Sequence, residues 1–412
     1  MAVTATEQRV LDAYDRSEML ELARDLARLP SFTTQETPVA QYLGRFLGQR
    51  GLAVELQEVE PGRLQCIARM PGAGGGRSLM LNGHTDIDPL TVGWRRDPWE
   101  PVIEGDRLYG HGLANMKGGV AAMIEAVLVL QRAGVRLRGD VVIAAVVGEL
   151  QGGVGTVHLL ERGVRTDAAI VTEPYGARNV TTVHSGRWQA AITTYGRAVH
   201  HARREQGADA IAAMVDVVRE ISRMRLSGAQ WDKVPGIPRL NVGSLIGGHG
   251  PDHDVAGAYY VADICTAIID IRHGPGQSAE SMTADLKAAT ERVLAAHPGI
   301  RYEVVAPPPA RFRNGRHQFP VFDLPLDQPI VGVVARHVET LTGRPPDSVG
   351  VHATGSRASD DTGHLWEAGI ACVLYGPAGP REPAADADGC VSIGEMETCA
   401  KVIALSTLEC CG

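Results

Sequence analysis

A histidine and an aspartate two residues apart, His84 and Asp86, close the segment Leu81-Asn82-Gly83-His84-Thr85-Asp86. The apolar run before them reads as a buried strand, and open α/β sheets place their ligand sites just beyond such strand ends. An imidazole there, with a carboxylate two residues on, suits a metal ligand held in orientation by an outer carboxylate. Glu149, in Gly148-Glu149-Leu150-Gln151-Gly152-Gly153, ends a second apolar run. Burial raises the pKa of a carboxylate in that place, which suits proton transfer near neutral pH. A plainer role for Glu149 is to complement the positive end of a helix after the Gly-Gly turn.

The elements that must position these groups alternate. Strand-like runs fall at Ser78–Asn82, Val141–Val147, Ala168–Val171 and Ala371–Tyr375, short and apolar nearly throughout, as in strands buried on both faces. A helical pattern over Met116–Ala133, closed by Gly134, lies between the first two. Strand, helix, strand in this order implies an α/β domain with a mostly parallel sheet and helices on both faces. The middle of the chain differs. Arg187–Tyr195 alternates like a half-exposed strand, followed by a helix at Ala208–Met224 and strands at Leu240–Ile246 and Tyr259–Arg272. A helix at Ser278–Ala296, a strand at Arg301–Val305 and a proline linker, Ala306–Ala310, complete it. This βαββαβ order predicts an inserted ferredoxin-like module. The expected division is residues 1–185 with 310–412 for the α/β domain, and 186–309 for the insert. The Gly72–Gly76 stretch is expected to be a hairpin loop rather than a phosphate loop.

Composition limits the partners. The chain has 412 residues, 44% of them hydrophobic and 21% charged, with a formal net charge of -8, which disfavours nucleic acid and anionic membranes as partners. No apolar run is expected to cross a bilayer. The segment Met1 to Glu21 reads as a leading helix without a signal-peptide core. Seven cysteines, an odd number with no C-x-x-C pair, point to a reducing, cytoplasmic setting, and Cys410-Cys411 to an inert exposed terminus.

The segments around His84 and Glu149 are joined by Gly110-His111-Gly112-Leu113-Ala114-Asn115-Met116-Lys117-Gly118-Gly119 and Val171-Thr172-Glu173-Pro174. With Trp94, Asp97-Pro98-Trp99 and Gly105-Asp106-Arg107-Leu108-Tyr109-Gly110, their order and spacing resemble the two-zinc amidohydrolases. That family includes acetylornithine deacetylase, succinyl-diaminopimelate desuccinylase, aminoacylase and carboxypeptidase G, and the resemblance extends over almost the whole chain. It implies a first metal at His84, Asn115 and Glu173, with Asn115 where the family has a bridging aspartate. The glutamate of the second metal falls on Leu150, and its late histidine falls at about Ala385, ahead of Asp388-Gly389-Cys390-Val391-Ser392-Ile393. Both ligands private to the second metal are therefore absent. At most one zinc per chain, or none, is expected, and His111, His184 or His364 could supply a third strong ligand.

The resemblance further implies Glu149 as general base, and His200, with His201 as competitor, as the oxyanion donor of Gly196-Arg197-Ala198-Val199-His200 acting across a homodimer formed through the insert. Arg187 and Arg272 match positions that hold a substrate carboxylate, against an alternative as ion-paired strand-end charges. The usual N-V-x-P segment reads His253-Asp254-Val255-Ala256-Gly257 here. The implied activity is amide hydrolysis of a small N-acylated amino acid or dipeptide-like molecule. The alternatives are a metal-independent biosynthetic relative catalysing acyl transfer, cyclisation or elimination, and a non-catalytic small-molecule binding protein.

Overall fold

The computed structural model describes residues 3–312, 315–316, 318–380 and 388–412. The chain forms two compact units: Met1–Val183 with Phe322–Ser356 and Asp360–Gly412, and His184–Val321 with Arg357–Ser359. The first is a mixed α/β unit built on an eight-stranded sheet. From one edge to the other its strands are Ala53–Glu60, Arg63–Met70, Val141–Val146, Leu79–His84, Ala168–Val171, Ala371–Leu374, Asn179–Thr181 and Ser348–Gly350. The four central strands run parallel, with His84 opposite Val146 and Asn82 opposite Val171. Three of these, Leu79–His84, Val141–Val146 and Ala168–Val171, are buried at every residue, so continuous apolar runs are what the sheet requires. The helices Gly118–Arg132 and Ile393–Cys411 share one core with them.

The second unit is antiparallel. Its strands run in the order Arg239–Gly248, Ile264–His273, Gly186–Tyr195 and Arg301–Val305, with Gln318–Phe319 pairing alongside Gly186–Tyr195. The helices Ala210–Ile221 and Ala279–Leu294 contribute Met214, Val217 and Leu286 to a core shared with Trp188, Ile192 and Ile269.

Several expectations are corrected. The leading helix is two, Ala5–Asp12 and Arg16–Ala27, because the Asp15 carboxylate accepts the N–H groups of Ser17 and Glu18 and starts a new helix there. The helix over Met116–Ala133 begins only at Gly118; a π-turn, Leu113–Lys117, precedes it, with non-helical backbone at Asn115 and Met116. Leu113–Arg132 has the length and hydropathy of a membrane span (mean hydropathy 1.5), contrary to the expectation of none, and its apolar stretch is buried in the core. Gly186–Tyr195 is buried along nearly its whole length rather than half-exposed, since it has strands on both sides and a core beneath. Gly72–Gly76 is not a hairpin loop. The strands it joins flank Val141–Val146, so the connection crosses over, and Ala73 and Gly74 donate to the carbonyls of Leu137 and Arg138 at 2.8 Å. Cys410-Cys411 is no loose end: both residues complete the last helix, and the buried Cys411 carbonyl accepts from Arg138 and Gly139.

Glu125, on the buried helix Gly118–Arg132, is 1% exposed and accepts from the Asp15 N–H at 2.9 Å and from Arg132. Burial pushes its carboxyl up to about 7, and Asp15 and Arg132 only partly oppose this. The folded state then holds this proton more tightly than the unfolded state, so the associated stability is present at pH 4 and lost as the pH rises through 7. Urea unfolding between pH 4 and pH 8 should show a decline to which Glu125 contributes up to about 3 kcal/mol. Glu125→Gln should flatten that part of the curve; an unchanged slope would contradict the assignment.

Candidate active site

The parallel register brings His84, Glu149 and Glu173 to the same end of three neighbouring strands. His84 ends its own strand, Glu149 follows Val146 by one turn, and Glu173 lies two residues past Val171. His84 is 1% exposed, and its backbone N–H donates to the Met116 sulfur at 3.2 Å. Its Nδ1 lies 2.8 Å from the Asp86 carbonyl and 3.5 Å from the Asp86 carboxylate. Its Nε2 faces Asn115 Oδ1 at 3.3 Å and Glu173 Oε1 at 3.5 Å. Burial alone would lower the imidazole pKa. The hydrogen bond to Asp86 and the charges of Glu173, Asp86 and Glu149 outweigh burial and hold it well above the ordinary value.

Asp86, fully buried, accepts the backbone N–H of Glu149 at 3.1 Å and of Leu150 at 3.0 Å. Burial pushes its carboxyl up, but the bond and charge of His84 and these two N–H groups pull it below the usual carboxylate range. Asn115 enters from the π-turn, and its amide nitrogen also reaches Asp88 at 3.5 Å. Lys117, two residues on, is fully buried and donates to the carbonyls of Leu26 at 2.9 Å and Leu29 at 2.7 Å, which anchors the turn to the preceding helix.

One group was missed at the sequence level. Asp361 is 1% exposed, and its Oδ1 has no hydrogen-bond partner among the described residues. Burial and then the charge of Glu149 hold its carboxyl well above the ordinary value, against a hydrogen bond from Thr156. It precedes the short helix Thr362–Glu367 and overhangs Gly153, whose added Cβ would lie 2.5 Å from Asp361 Oδ1. The adjacent Asp360-Asp361 pair was the available signal, and it reads as a helix cap in isolation.

The histidines considered as third ligands are engaged elsewhere. His111 bonds the Asp88 carbonyl at 2.8 Å and packs edge-on against Trp94 and Trp99. His364 bonds the Gly152 carbonyl at 3.0 Å. His184, in the second unit, bonds the Ser185 carbonyl at 2.8 Å. Ala385 lies outside the described residues.

In the second unit His200 is exposed, accepts the Ala202 N–H at 3.1 Å and meets Tyr260 edge-on at 5.5 Å. The His201 N–H donates to the Tyr259 carbonyl at 2.7 Å. Arg187 and Arg272 are cross-strand neighbours. Arg187 lies over the Phe319 ring at 4.6 Å, while Arg272 binds Asp270 at 2.8 Å and the Ser359 hydroxyl at 2.6 Å.

The sequence pattern described as peptidase family M20/M25/M40 matches residues 80–409. The chain belongs to this family. It is a hydrolase of amide bonds. Among its relatives is an N-formyl-4-amino-5-aminomethyl-2-methylpyrimidine deformylase of Halalkalibacterium halodurans, 26% identical over 96% of this chain and 95% of the relative. An acetylornithine deacetylase of Vibrio campbellii is 28% identical over 76% of each chain. The structure of the di-peptidase Dug1p from Saccharomyces cerevisiae superimposes with a TM-score of 0.78 at 13% identity, covering 99% of both chains, and so shares the fold.

Enzymes of this family generally bind divalent metals such as zinc. The donors present do not fit a pair of metals. Leu150 has no ligating atom, Asn115 offers a neutral amide, and among the described residues no group of three or more His, Cys, Asp or Glu could hold a metal ion. For a single zinc, His84 and Glu173 are two strong donors where a catalytic site commonly supplies three. Asp86 remains the organising group. Asp86→Asn leaves one acceptor oxygen where two N–H groups and His84 need two, so urea unfolding at pH 7 should show a loss of about 2–4 kcal/mol. A loss below about 0.5 kcal/mol would contradict that role.

Proposed function

We propose that the chain hydrolyses the amide of a small N-acylated amino acid or similarly small N-acyl amine, with Glu149 as general base. The observation that carries this reading is the buried Glu149 fixed through its backbone to Asp86 at the strand ends that also present His84 and Glu173. The deformylase and deacetylase names of its relatives support a short acyl group, formyl or acetyl. Glu149 takes a proton from water, the oxygen adds to the carbonyl carbon, and the C=O pair moves onto oxygen. The C–N bond then breaks as Glu149 returns the proton to the leaving amine. Beside it, burial and then the charge of Glu149 hold the Asp361 carboxyl well above its ordinary value.

At most one metal per chain sits at His84, Asn115 and Glu173 in this reading, and no step depends on it. Several kcal/mol of carbonyl polarisation must then come from other groups. His200 serves as oxyanion donor across a homodimer, and Arg187 with Arg272 binds a substrate carboxylate once Asp270 is displaced from Arg272. The segment 186–309 is a ferredoxin-like lid that carries the dimer. Its βαββαβ order supports this, as do the exposed Leu245 and Ile246 on the edge strand and Ile211 and Val215 on the first helix. The substitutions at positions 115 and 150 also favour a second reading, metal-independent acyl transfer, in which an added amine acceptor rather than water receives the acyl group.

A panel of N-formyl and N-acetyl amino acids and amines, followed by chromatography of both products, tests the proposal. Glu149→Gln should lower kcat/KM by about 10³-fold while the melting temperature holds. Undiminished turnover in that variant would remove Glu149 from the base role, and acyl transfer without free acid would favour the second reading.

A further inference from the structure

Asp86 grips the turn that carries Glu149 from one side. A second apparatus, built on the buried Arg63, Glu36 and Gln151, grips it from the other. Arg63, at the start of the second strand, is 3% exposed, and Glu36 is fully buried. Arg63 Nε donates to Glu36 at 2.9 Å, its Nη2 donates to the other Glu36 oxygen, and its Nη1 donates to Glu60 at 2.9 Å and to the side-chain oxygen of Gln151. Gln151 is itself 3% exposed. The guanidinium also packs against the backbone just before Glu149: a Cβ at Gly148, whose φ is +68°, would lie 2.8 Å from Arg63 Nη2.

We propose that Arg63 is a positioning residue for Glu149, acting through Gln151 and held in place by Glu36. The inference rests on the reading of Glu149 as base. A buried ion pair is a poor source of net stability, because desolvation offsets most of its attraction. Its value here is directional. Asp86 holds the N–H groups of Glu149 and Leu150, and His364 bonds the Gly152 carbonyl at 3.0 Å, so these bonds grip the turn by its backbone. The turn closes on itself through Gly152 N–H to the Glu149 carbonyl at 2.8 Å and Gly153 N–H to the Gly148 carbonyl at 3.0 Å, so it moves as one piece. The rigid fork of Arg63 adds a hold on the Gln151 side chain, which fixes the turn's orientation as well as its place.

The test combines amide hydrogen exchange of the 148–153 segment, read by mass spectrometry, with kcat and KM on the fastest substrate of the acyl panel. Gln151→Met removes the acceptor at similar volume, and Gln151→Glu keeps it. In the Met variant exchange at 149–152 should rise at least tenfold, and kcat should fall about ten- to a hundredfold with KM within twofold, as a misplacement near 1 Å does. Gln151→Glu should restore both, and Gln151→Met should cost nothing further in a Glu149→Gln background. Unchanged exchange in the folded Met variant, or an equal further loss in the Glu149→Gln background, overturns the proposal. Turnover that survives Glu149→Gln overturns the base reading instead, and exchange alone then decides whether Arg63 holds the turn. If Gln151→Met does not fold, Gln151→Asn, one methylene too short to reach Arg63, is read in the same way.

Discussion

The Asp86 carboxylate joins the ends of two adjacent parallel strands. On one side it orients His84; on the other it holds the N–H groups of Glu149 and Leu150. Asp86, His84 and Glu149 are buried, so a surface counter-ion cannot replace it, and the groups it binds hold its carboxyl below the usual carboxylate range. The rest of the first unit sustains this arrangement. The apolar strands must run parallel and in register for His84 and Val146 to be neighbours, and the flanking helices must keep the sheet dry. The π-turn places Asn115 within reach of His84 because the helix after it begins at Gly118, not at Met116.

The sequence makes this centre legible to an uneven degree. His84, Glu149 and Glu173 are visible because each follows a short, continuously apolar run, and such runs have one physical use, as strands buried on both faces. The hairpin Ala53–Glu60 and Arg63–Met70 was not visible. Glu55, Glu58 and Glu60 make its outer strand polar, and an exposed edge strand has no strong apolar period. Arg63 therefore passed unnoticed, although its guanidinium reaches Gln151. Asp361 was hidden for another reason: it lies 212 residues from Glu149 in the chain, and no local pattern encodes their proximity. In sequence, Arg272 suits either a substrate ligand or an ion-paired charge, and it holds Asp270 in this structure.

The substitutions acquire meaning from the same geometry. The apolar side chain of Leu150 leaves the turn intact, because Asp86 binds the backbone of Leu150 and not its side chain. The neutral Asn115 offers His84 an amide oxygen at 3.3 Å, enough to keep the ring oriented. The support of Glu149 thus rests on neither the Leu150 side chain nor a charge at position 115. Carboxylates still crowd the centre, with Asp86, Glu149, Glu173 and Asp361 around His84. The raised pKa values of the Asp361 carboxyl and the His84 imidazole reflect that density of charge.

The central claim is that Glu149 is poised for chemistry in a site that lacks a two-metal centre. Crystals of protein purified without chelator, measured with anomalous scattering on both sides of the zinc edge, test it most directly. The structure predicts at most one peak per chain, beside His84 and Glu173. Two peaks about 3.5–4 Å apart would contradict it.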